Sequence, residues 1–246
     1  KITDNIGVLI EKTLTRLKFD YDIDDIIFEI KKDNSVDQLT KNATENRFQS
    51  VKAWGLFDIT GFEVKDIVNG GQVSVLDLSA YDDWNVKSLV VGIISKKLFN
   101  ERVTARKQEE TEEIKYSQHY LTFEREKELE TPLLWIFLDE AHELLPREGM
   151  NAAMPALIQL LREGRQPGIS LVLATQQPGE IHRDVITQSD IVISHRVTAK
   201  FDINALQEIM QTYLNFDILG YLNDLPRLKG SAIILLLLLN NISKAS

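Results

Sequence analysis

Two adjacent acids that follow an apolar run are the residues of this chain best suited to chemistry. Residues 133–146 read LLWIFLDEAHELLP, so Asp139 and Glu140 come directly after six uncharged residues. Such a run predicts a strand buried on both faces of a parallel sheet, with the acids at its carboxyl end, where open α/β sheets bind ligands. There, Asp139 can bear on Mg²⁺ and Glu140 can polarise a water that attacks a phosphate. The alternative is a strand that ends at two solvated acids.

A second polar group follows the next predicted strand, over residues 169–174. The chain continues there as Thr175-Gln176-Gln177-Pro178. Because neighbouring parallel strands end at one edge of a sheet, these side chains are expected beside the acids. Thr175 or Gln176 could then hydrogen-bond the attacking water or the terminal phosphate of a nucleotide. The alternative is a residue that only caps a loop.

Two arginines, Arg162 and Arg165, bracket a predicted helix end and a tight turn in the segment LREGRQPG. A guanidinium suits a phosphate because its planar fork donates two hydrogen bonds and stays charged. In ring-shaped ATPases an arginine can reach the γ-phosphate held by a neighbouring subunit. Ordinary surface salt bridges are the alternative interpretation.

The chain lacks two motifs that would otherwise complete or redirect this site. No G-x-x-x-x-G-K-[ST] phosphate loop occurs in the sequence. The string HELLP also fails as H-E-x-x-H, because its fifth residue is Pro146. Either the phosphate loop lies before Lys1, or the protein does not hydrolyse nucleotide. We expect a piece of an ATPase core that is inactive by itself.

The elements that position these residues are predicted by alternating strand and helix patterns. Apolar and valine-rich runs predict strands at 72–78, 133–138, 169–174, 190–194 and 230–237. Helical spacing between them predicts helices at 84–107, 151–163, 179–188 and 202–214. This order predicts an α/β fold, with a parallel sheet covered by helices on both faces. Residues 1–68 instead predict a small helical subdomain, which gives the domain division 1–68 and 69–246.

Composition narrows the class of protein. The 246 residues carry a net charge of −9 and include no cysteine, which excludes disulfides and thiolate metal sites and favours a cytoplasmic protein. No apolar run reaches the ~18 residues of a membrane helix, so no membrane partner is expected. The negative charge does not indicate general nucleic-acid binding. Local basic clusters do occur, and a DNA-binding surface would be expected there; they comprise Lys96, Lys97, Arg102, Arg106 and Lys107.

Taken in order, the acid pair in LLWIFLDEAHELLP, the G-R-x-x-G-I turn and the A-T-Q-x-P strand end resemble one family. They resemble the HerA-type ATPases of the HerA/FtsK superfamily, which are archaeal and bacterial hexameric DNA translocases with a RecA-like P-loop NTPase core. The resemblance covers roughly residues 70–231, and the helical stretch before it resembles the insert that follows the family's phosphate loop.

The resemblance implies ATP and Mg²⁺ as cofactors, and ATP-driven movement along or unwinding of double-stranded DNA by a homohexamer. A NurA-type partner nuclease in DNA end resection is also implied. In this family pattern Asp139 corresponds to the Walker B magnesium ligand and Glu140 to the catalytic base. Gln176 corresponds to the polar sensor. Arg165, and secondarily Arg162, corresponds to the phosphate-facing arginine, within its own subunit or across an interface.

Three other interpretations compete with this resemblance. A DEAH-box helicase would carry a Ser-Ala-Thr-like motif and a second RecA-like domain, but ATQQP and only about 70 residues follow here. A nucleotide-free interaction module, left over from an ATPase, would explain the missing phosphate loop. A viral or plasmid DNA-packaging ATPase would share every motif.

Overall fold

The chain divides into two compact units, Lys1–Glu63 and Val64–Ser246. The computed structural model describes residues 4–18, 21–58, 61, 63–117, 131–211, 220, 226, 228 and 230–236. Within these ranges, no helix combines the length and the apolar character needed to cross a bilayer. The domain division at residue 68 stays a prediction.

Three helices make up the described part of the first unit. They are α1 (Asn5–Leu17), α2 (Ile23–Lys32) and α3 (Gln38–Ala53). An aspartate side chain accepts a backbone N–H at the start of each, which explains where each helix begins; these aspartates are Asp4, Asp22 and Asp37. The apolar faces of the helices meet in a small core centred on Leu9, Ile26 and Ile30.

A buried carboxylate joins two of these helices. The side chain of Asp33 directly follows α2 and is only 2% exposed. Its Oδ2 accepts from Lys12 Nζ at 2.7 Å and from Arg16 Nη1 at 2.9 Å, and both donors belong to α1. Hydrogen bonds from Lys12 and then from Ser35 hold the pKa of Asp33 well below its ordinary value. Asp33 is therefore a structural charge.

The second unit contains six helices and four strands among its described residues. The helices are α4 (Val64–Ile67), α5 (Trp84–Ser117), α6 (Ala141–Leu144), α7 (Met154–Glu163), α8 (Arg183–Gln188) and α9 (Lys200–Gln211). The strands are β1 (Leu134–Leu138), β2 (Ile169–Leu173), β3 (Ile191–His195) and β4 (Ala232–Leu236), and a short 3₁₀ turn occupies Pro178–Glu180. The last four predicted strands are therefore confirmed, and α5 extends the predicted helix by about three turns.

Strands β1 and β2 pair in parallel, with Leu134 opposite Ile169 and Leu138 opposite Leu173. Helix α7 returns the chain between them, and Gly164 closes that helix. A side chain at Gly164 would press against the backbone oxygen of Leu160, so only glycine fits. The predicted parallel pairing of these two strands is confirmed.

The prediction that β1 is buried on both faces is wrong. Its inner side chains, with α5, α6, α7 and α8, form the main core of this unit. Trp135 and Phe137 point the other way, are 67% and 69% exposed, and stack on each other at 6.4 Å between ring centroids. The uncharged run misled the prediction because the outward side chains of β1 are apolar although they are not buried in this structure.

Two further expectations about the sheet are wrong. Strand β3 pairs with β4 in an antiparallel ladder, so the described strands form two separate two-stranded sheets. The connection between β3 and β4 is long enough to return the chain in either direction, so strand–helix alternation could not decide.

The strand predicted at 72–78 is also absent from the structure, which has irregular backbone there. Val73 and Val75 are 88% and 87% exposed. Valine favours strands only where a neighbouring strand and a packed face receive it. No described strand pairs with this segment, so its valines do not form a strand despite their preference for one.

Candidate functional site

The backbone brings the ends of β1 and β2 together. Ala174 N donates to Leu138 O at 2.9 Å, and Ala141 N donates to Ala174 O at 2.9 Å, so the parallel ladder continues past both strands. Glu140 lies between these bonds in the left-handed region, at φ 47° and ψ 46°. A non-glycine residue adopts this conformation only where surrounding contacts impose it. Hydrogen bonds of the ladder flank this residue on both sides, and the Glu140 side chain projects at the carboxyl edge.

The structure brings Glu140 and Gln176 into direct contact. Gln176 Nε2 donates to Glu140 Oε1 at 2.9 Å, and the contact is open to solvent. Asp139 is exposed beside them, with its Oδ1 accepting from the backbone N–H of Glu140 at 2.9 Å. The carboxylate pair and the amide predicted to share one edge of the sheet therefore do share it.

Thr175 belongs to the same group through a contact with His142, a histidine expected from the sequence to couple the acids to the following loop or to pack against it. His142 Nδ1 lies 3.0 Å from Thr175 Oγ1, and the His142 side chain is 10% exposed. Gln177 N also donates to Thr175 Oγ1 at 3.0 Å. A histidine three residues after the first acid was the available signal, but its partner on another strand cannot be read from spacing.

The two predicted arginines lie at the opposite edge. Arg162 ends α7, and Arg165 follows in the turn before β2, so both precede the strand whose far end carries Gln176. A five-residue strand spans roughly 16 Å, which separates these side chains from the acids of the same chain. Arg162 is held by Asp184, with Nη2–Oδ2 at 2.6 Å. The side chain of Arg165 is exposed and makes no hydrogen bond or ion pair with the described residues.

A buried arginine supports that turn. Arg102 of α5 is fully buried, and its Nε donates to Pro167 O at 2.8 Å. Its Nη1 donates to Thr131 O at 2.6 Å and pairs with Glu109 at 3.0 Å. Burial alone would raise the pKa of Glu109, but hydrogen bonds and charge from Arg102 and Arg106 outweigh it and lower that pKa.

The idea of a local basic surface on α5 is wrong for these two arginines. Arg102 is inaccessible, and Arg106 is engaged by Glu109 and Glu110. The pKa of Arg106 is raised by these partners, with the Glu109 hydrogen bond the main cause. The spacing of Leu98, Arg102 and Ala105, all buried, places Arg102 on the packed face of the helix.

The donor set at the carboxyl edge suits Mg²⁺. Among the residues that the structure describes, no three His, Cys, Asp or Glu side chains are grouped to hold a metal by themselves. Magnesium is commonly held by one or two carboxylates together with substrate phosphates and waters, which matches a single exposed Asp139. The exposed Asp139 carboxylate therefore fits a magnesium site of that kind, and the described part of the chain contains no closed protein metal cage.

Several known proteins and one protein family are similar to this chain in sequence. A model of the family described as zonular occludens toxin (Zot) matches residues 85–211, just over half of the chain. The DNA double-strand break repair helicase HerA of Pyrococcus furiosus is 31% identical over 147 residues, covering 56% of this chain and 26% of that protein. A probable HerA of Methanocaldococcus jannaschii is 28% identical over 145 residues, covering 56% and 28%.

The chain spans about a quarter of the length of these curated relatives. A weaker similarity is found to the structure of the genome packaging NTPase B204 of Sulfolobus turreted icosahedral virus 2 in complex with ATP-gammaS. It has a TM-score of 0.36 and 18% identity, covering 61% of this chain and 57% of that one. The predicted α/β class and the resemblance to HerA-type ATPases are confirmed, and the chain belongs to the zonular occludens toxin (Zot) family.

Proposed function

We propose that this chain supplies the water-activating half of an ATP-hydrolysing site in a motor that acts on double-stranded DNA. The observation that carries the proposal is the 2.9 Å hydrogen bond between Gln176 Nε2 and Glu140 Oε1 at the joined ends of β1 and β2. In phosphoryl transfer the protein acts mainly by positioning and electrostatics. A carboxylate and an amide held side by side can orient one water for in-line attack.

Each residue of the site then has one role. Glu140 accepts the proton of the attacking water through its carboxylate, while the Gln176 amide orients that water and the terminal phosphate. Thr175 contributes a hydroxyl at the same edge. Asp139 holds Mg²⁺, which neutralises charge on the phosphates. Residues outside this sequence would cradle those phosphates, since it contains no G-x-x-x-x-G-K-[ST] segment.

Arg165 is proposed to act on the nucleotide of a neighbouring subunit. It lies at the edge of the sheet away from Glu140 and Gln176, and its guanidinium is exposed without a described partner. Arg162 is the weaker candidate because Asp184 already holds it at 2.6 Å. An arginine that acts across an interface requires a second subunit, which is consistent with the proposed homohexamer.

Duplex DNA is the proposed substrate of the motor, and a NurA-type nuclease its proposed partner. The names of the relatives, one a DNA double-strand break repair helicase and one a probable helicase of that kind, support the DNA substrate. The nuclease partner is proposed on the sequence resemblance alone. The net charge of −9 does not favour DNA binding over the whole surface of the chain. DNA is therefore proposed to contact a local surface in the assembled ring.

DNA-stimulated ATP turnover by the full-length protein tests the proposal. We expect Mg²⁺-dependent hydrolysis that rises when duplex DNA is added. A protein that neither binds nor hydrolyses ATP, with or without DNA, would overturn the proposal and favour a nucleotide-free interaction module.

A further inference from the structure

We propose that His142 is a positioning residue, which sets the relation between Glu140 and Gln176 through its hydrogen bond with Thr175. The inference rests on the proposed function and assigns a residue to that site beyond the acids and the amide. His142 is the second residue of α6, two residues after Glu140, and Thr175 immediately precedes Gln176. Their contact is therefore a side-chain link between the two segments that carry the reacting groups.

Thr175 Oγ1 joins two contacts. It accepts from Gln177 N at 3.0 Å. A threonine hydroxyl carries one hydrogen and two lone pairs, so beside that bond it can either donate to or accept from His142 Nδ1 at 3.0 Å. His142 Nε2 faces Glu143 Oε1 at 3.9 Å, which is beyond hydrogen-bond distance. Either ring tautomer therefore keeps the bond between His142 and Thr175.

Thr175 is the main partner of the ring, rather than Glu140. Glu140 Oε2 lies 3.5 Å from His142 Nδ1, which is long for a hydrogen bond, whereas Thr175 Oγ1 lies at 3.0 Å. His142 thus leaves the Glu140 carboxylate to Gln176 and to solvent. The His142 side chain is only 10% exposed, so it has few alternative rotamers and can hold the Thr175 hydroxyl in one position.

Both reacting side chains need such support. Glu140 heads α6 without a side-chain cap and in a strained left-handed conformation. Gln176 is exposed and lies between Thr175 and Gln177, which are themselves joined by the Gln177 N–Thr175 Oγ1 bond. When His142 anchors Thr175, the loop that presents Gln176 is anchored to the segment that presents Glu140.

A double-mutant cycle in the full-length protein tests this link. The variants are His142→Phe, which keeps the ring but not its nitrogens, Thr175→Val, which keeps the shape but not the hydroxyl, and their combination. We expect each single change to lower kcat about tenfold with the Kd for ATP within about twofold. The double variant should be no worse than Thr175→Val alone, because that change already removes the bond to His142 together with the bond from Gln177 N. Thr175→Ser should retain near wild-type kcat.

His182→Phe is the matched control. His182 Nδ1 also accepts a hydrogen bond, but from Asp184 N at the start of α8, so its loss should leave kcat unchanged. Additive losses from His142→Phe and Thr175→Val, or a His142→Phe enzyme with wild-type kcat, would overturn the inference.

Hydrogen–deuterium exchange gives a readout that does not depend on turnover. In His142→Phe we expect faster exchange at the Gln177 amide, since Thr175 is then free to rotate away from it. The His182→Phe protein should exchange there like the wild type. Unchanged exchange in His142→Phe would contradict the inference even in an active enzyme. A wild-type protein without ATP turnover would instead refute the proposed function and leave the exchange result to judge the link.

Discussion

The charged side chains at the two edges of the β1–β2 pair differ in burial and in the number of their protein partners. At the amino edge, Arg102 is fully buried, and three of its N–H groups are taken by Pro167, Thr131 and Glu109. At the carboxyl edge, Asp139 is exposed and the Glu140 carboxylate is 43% exposed, with few protein partners. Arg102 Nη2 is buried with no hydrogen-bond partner among the described residues. A charge that holds the fold together is thus buried against protein partners, whereas a charge kept for a ligand retains hydrogen-bonding capacity toward solvent.

Backbone conformation shows the same difference. Gly168 takes φ 83° in the amino-edge turn, where a side chain would collide with Leu133, so the strained position is given to glycine. The carboxyl edge places Glu140 at φ 47°. Left-handed backbone at a charged residue costs about 1 kcal/mol, which is tolerated where the side chain has a function.

Replacing the proposed base should produce the largest effect. We expect Glu140→Gln to lower kcat by about ten-thousandfold while ATP still binds, because glutamine keeps the hydrogen bond capacity but cannot accept the proton. Glu148→Gln, at an exposed acid on the following loop, is the control and should keep its turnover. Single-turnover kinetics measure the rate of hydrolysis, and a nucleotide-binding titration measures the affinity for ATP. Near wild-type hydrolysis by Glu140→Gln would refute its assignment as the base.

The amino edge can be tested for a role in a neighbouring site. We expect Arg165→Ala to lower kcat by about a thousandfold in a uniform ring. Mixing Arg165→Ala subunits with Glu140→Gln subunits should restore part of the turnover, because some interfaces then pair an intact arginine with an intact acid. Arg162→Ala is the comparison and should cost less, since Asp184 already engages that side chain. Mixed rings as inactive as both parents would show that Arg165 does not act across the interface.

The free energy of unfolding should fall when the buried charge at the amino edge is removed and rise when the strained residue at the carboxyl edge is replaced. Arg102→Met removes one partner of a buried ion pair and leaves Glu109 uncompensated, so we expect the free energy of unfolding to fall by about 3 kcal/mol. Glu140→Gly should instead raise it by about 1 kcal/mol, because glycine relieves the left-handed strain. Denaturant titrations of both variants measure the pair. An Arg102→Met protein as stable as the wild type would remove the structural half of the comparison.

Acid should weaken the helical unit, through a smaller effect. The pKa of Asp33 is lowered in the folded state, so its charge stabilises the fold above the ordinary value of 3.8 and that contribution is lost as the pH falls below it. We expect Asp33→Asn to weaken the pH dependence of the thermal midpoint between about pH 5 and pH 3. An unaltered slope would show that Lys12 and Arg16 do not stabilise the carboxylate.

Sequence patterns were sufficient for the parts of the site carried by a strand and its end. An uncharged run followed by Asp139-Glu140, and a second ending in Thr175-Gln176, predicted two parallel strands with neighbouring polar ends. This succeeded because the carboxyl ends of adjacent parallel strands are close by construction. The predicted start of the helix at residue 84 is also confirmed, and Asp83 accepts from Asn85 N where α5 begins.

Long-range contacts were beyond the sequence. The exposure of Trp135 depends on which face of β1 is covered, and the direction of β4 depends on a long connection. His142 and Thr175 are 33 residues apart, so their bond appears only once β1 and β2 are paired. The separation of Arg165 from Glu140 likewise follows from strand length and direction, not from residue type.

A structure of the full-length protein with Mg²⁺ and a non-hydrolysable ATP analogue tests the central claim most directly. It should show the γ-phosphate facing Glu140 and Gln176 across one water, with Asp139 directed at the metal and Arg165 approaching from a second subunit. A nucleotide bound away from this edge, with Glu140 and Gln176 still paired to each other and facing bulk solvent, would contradict it.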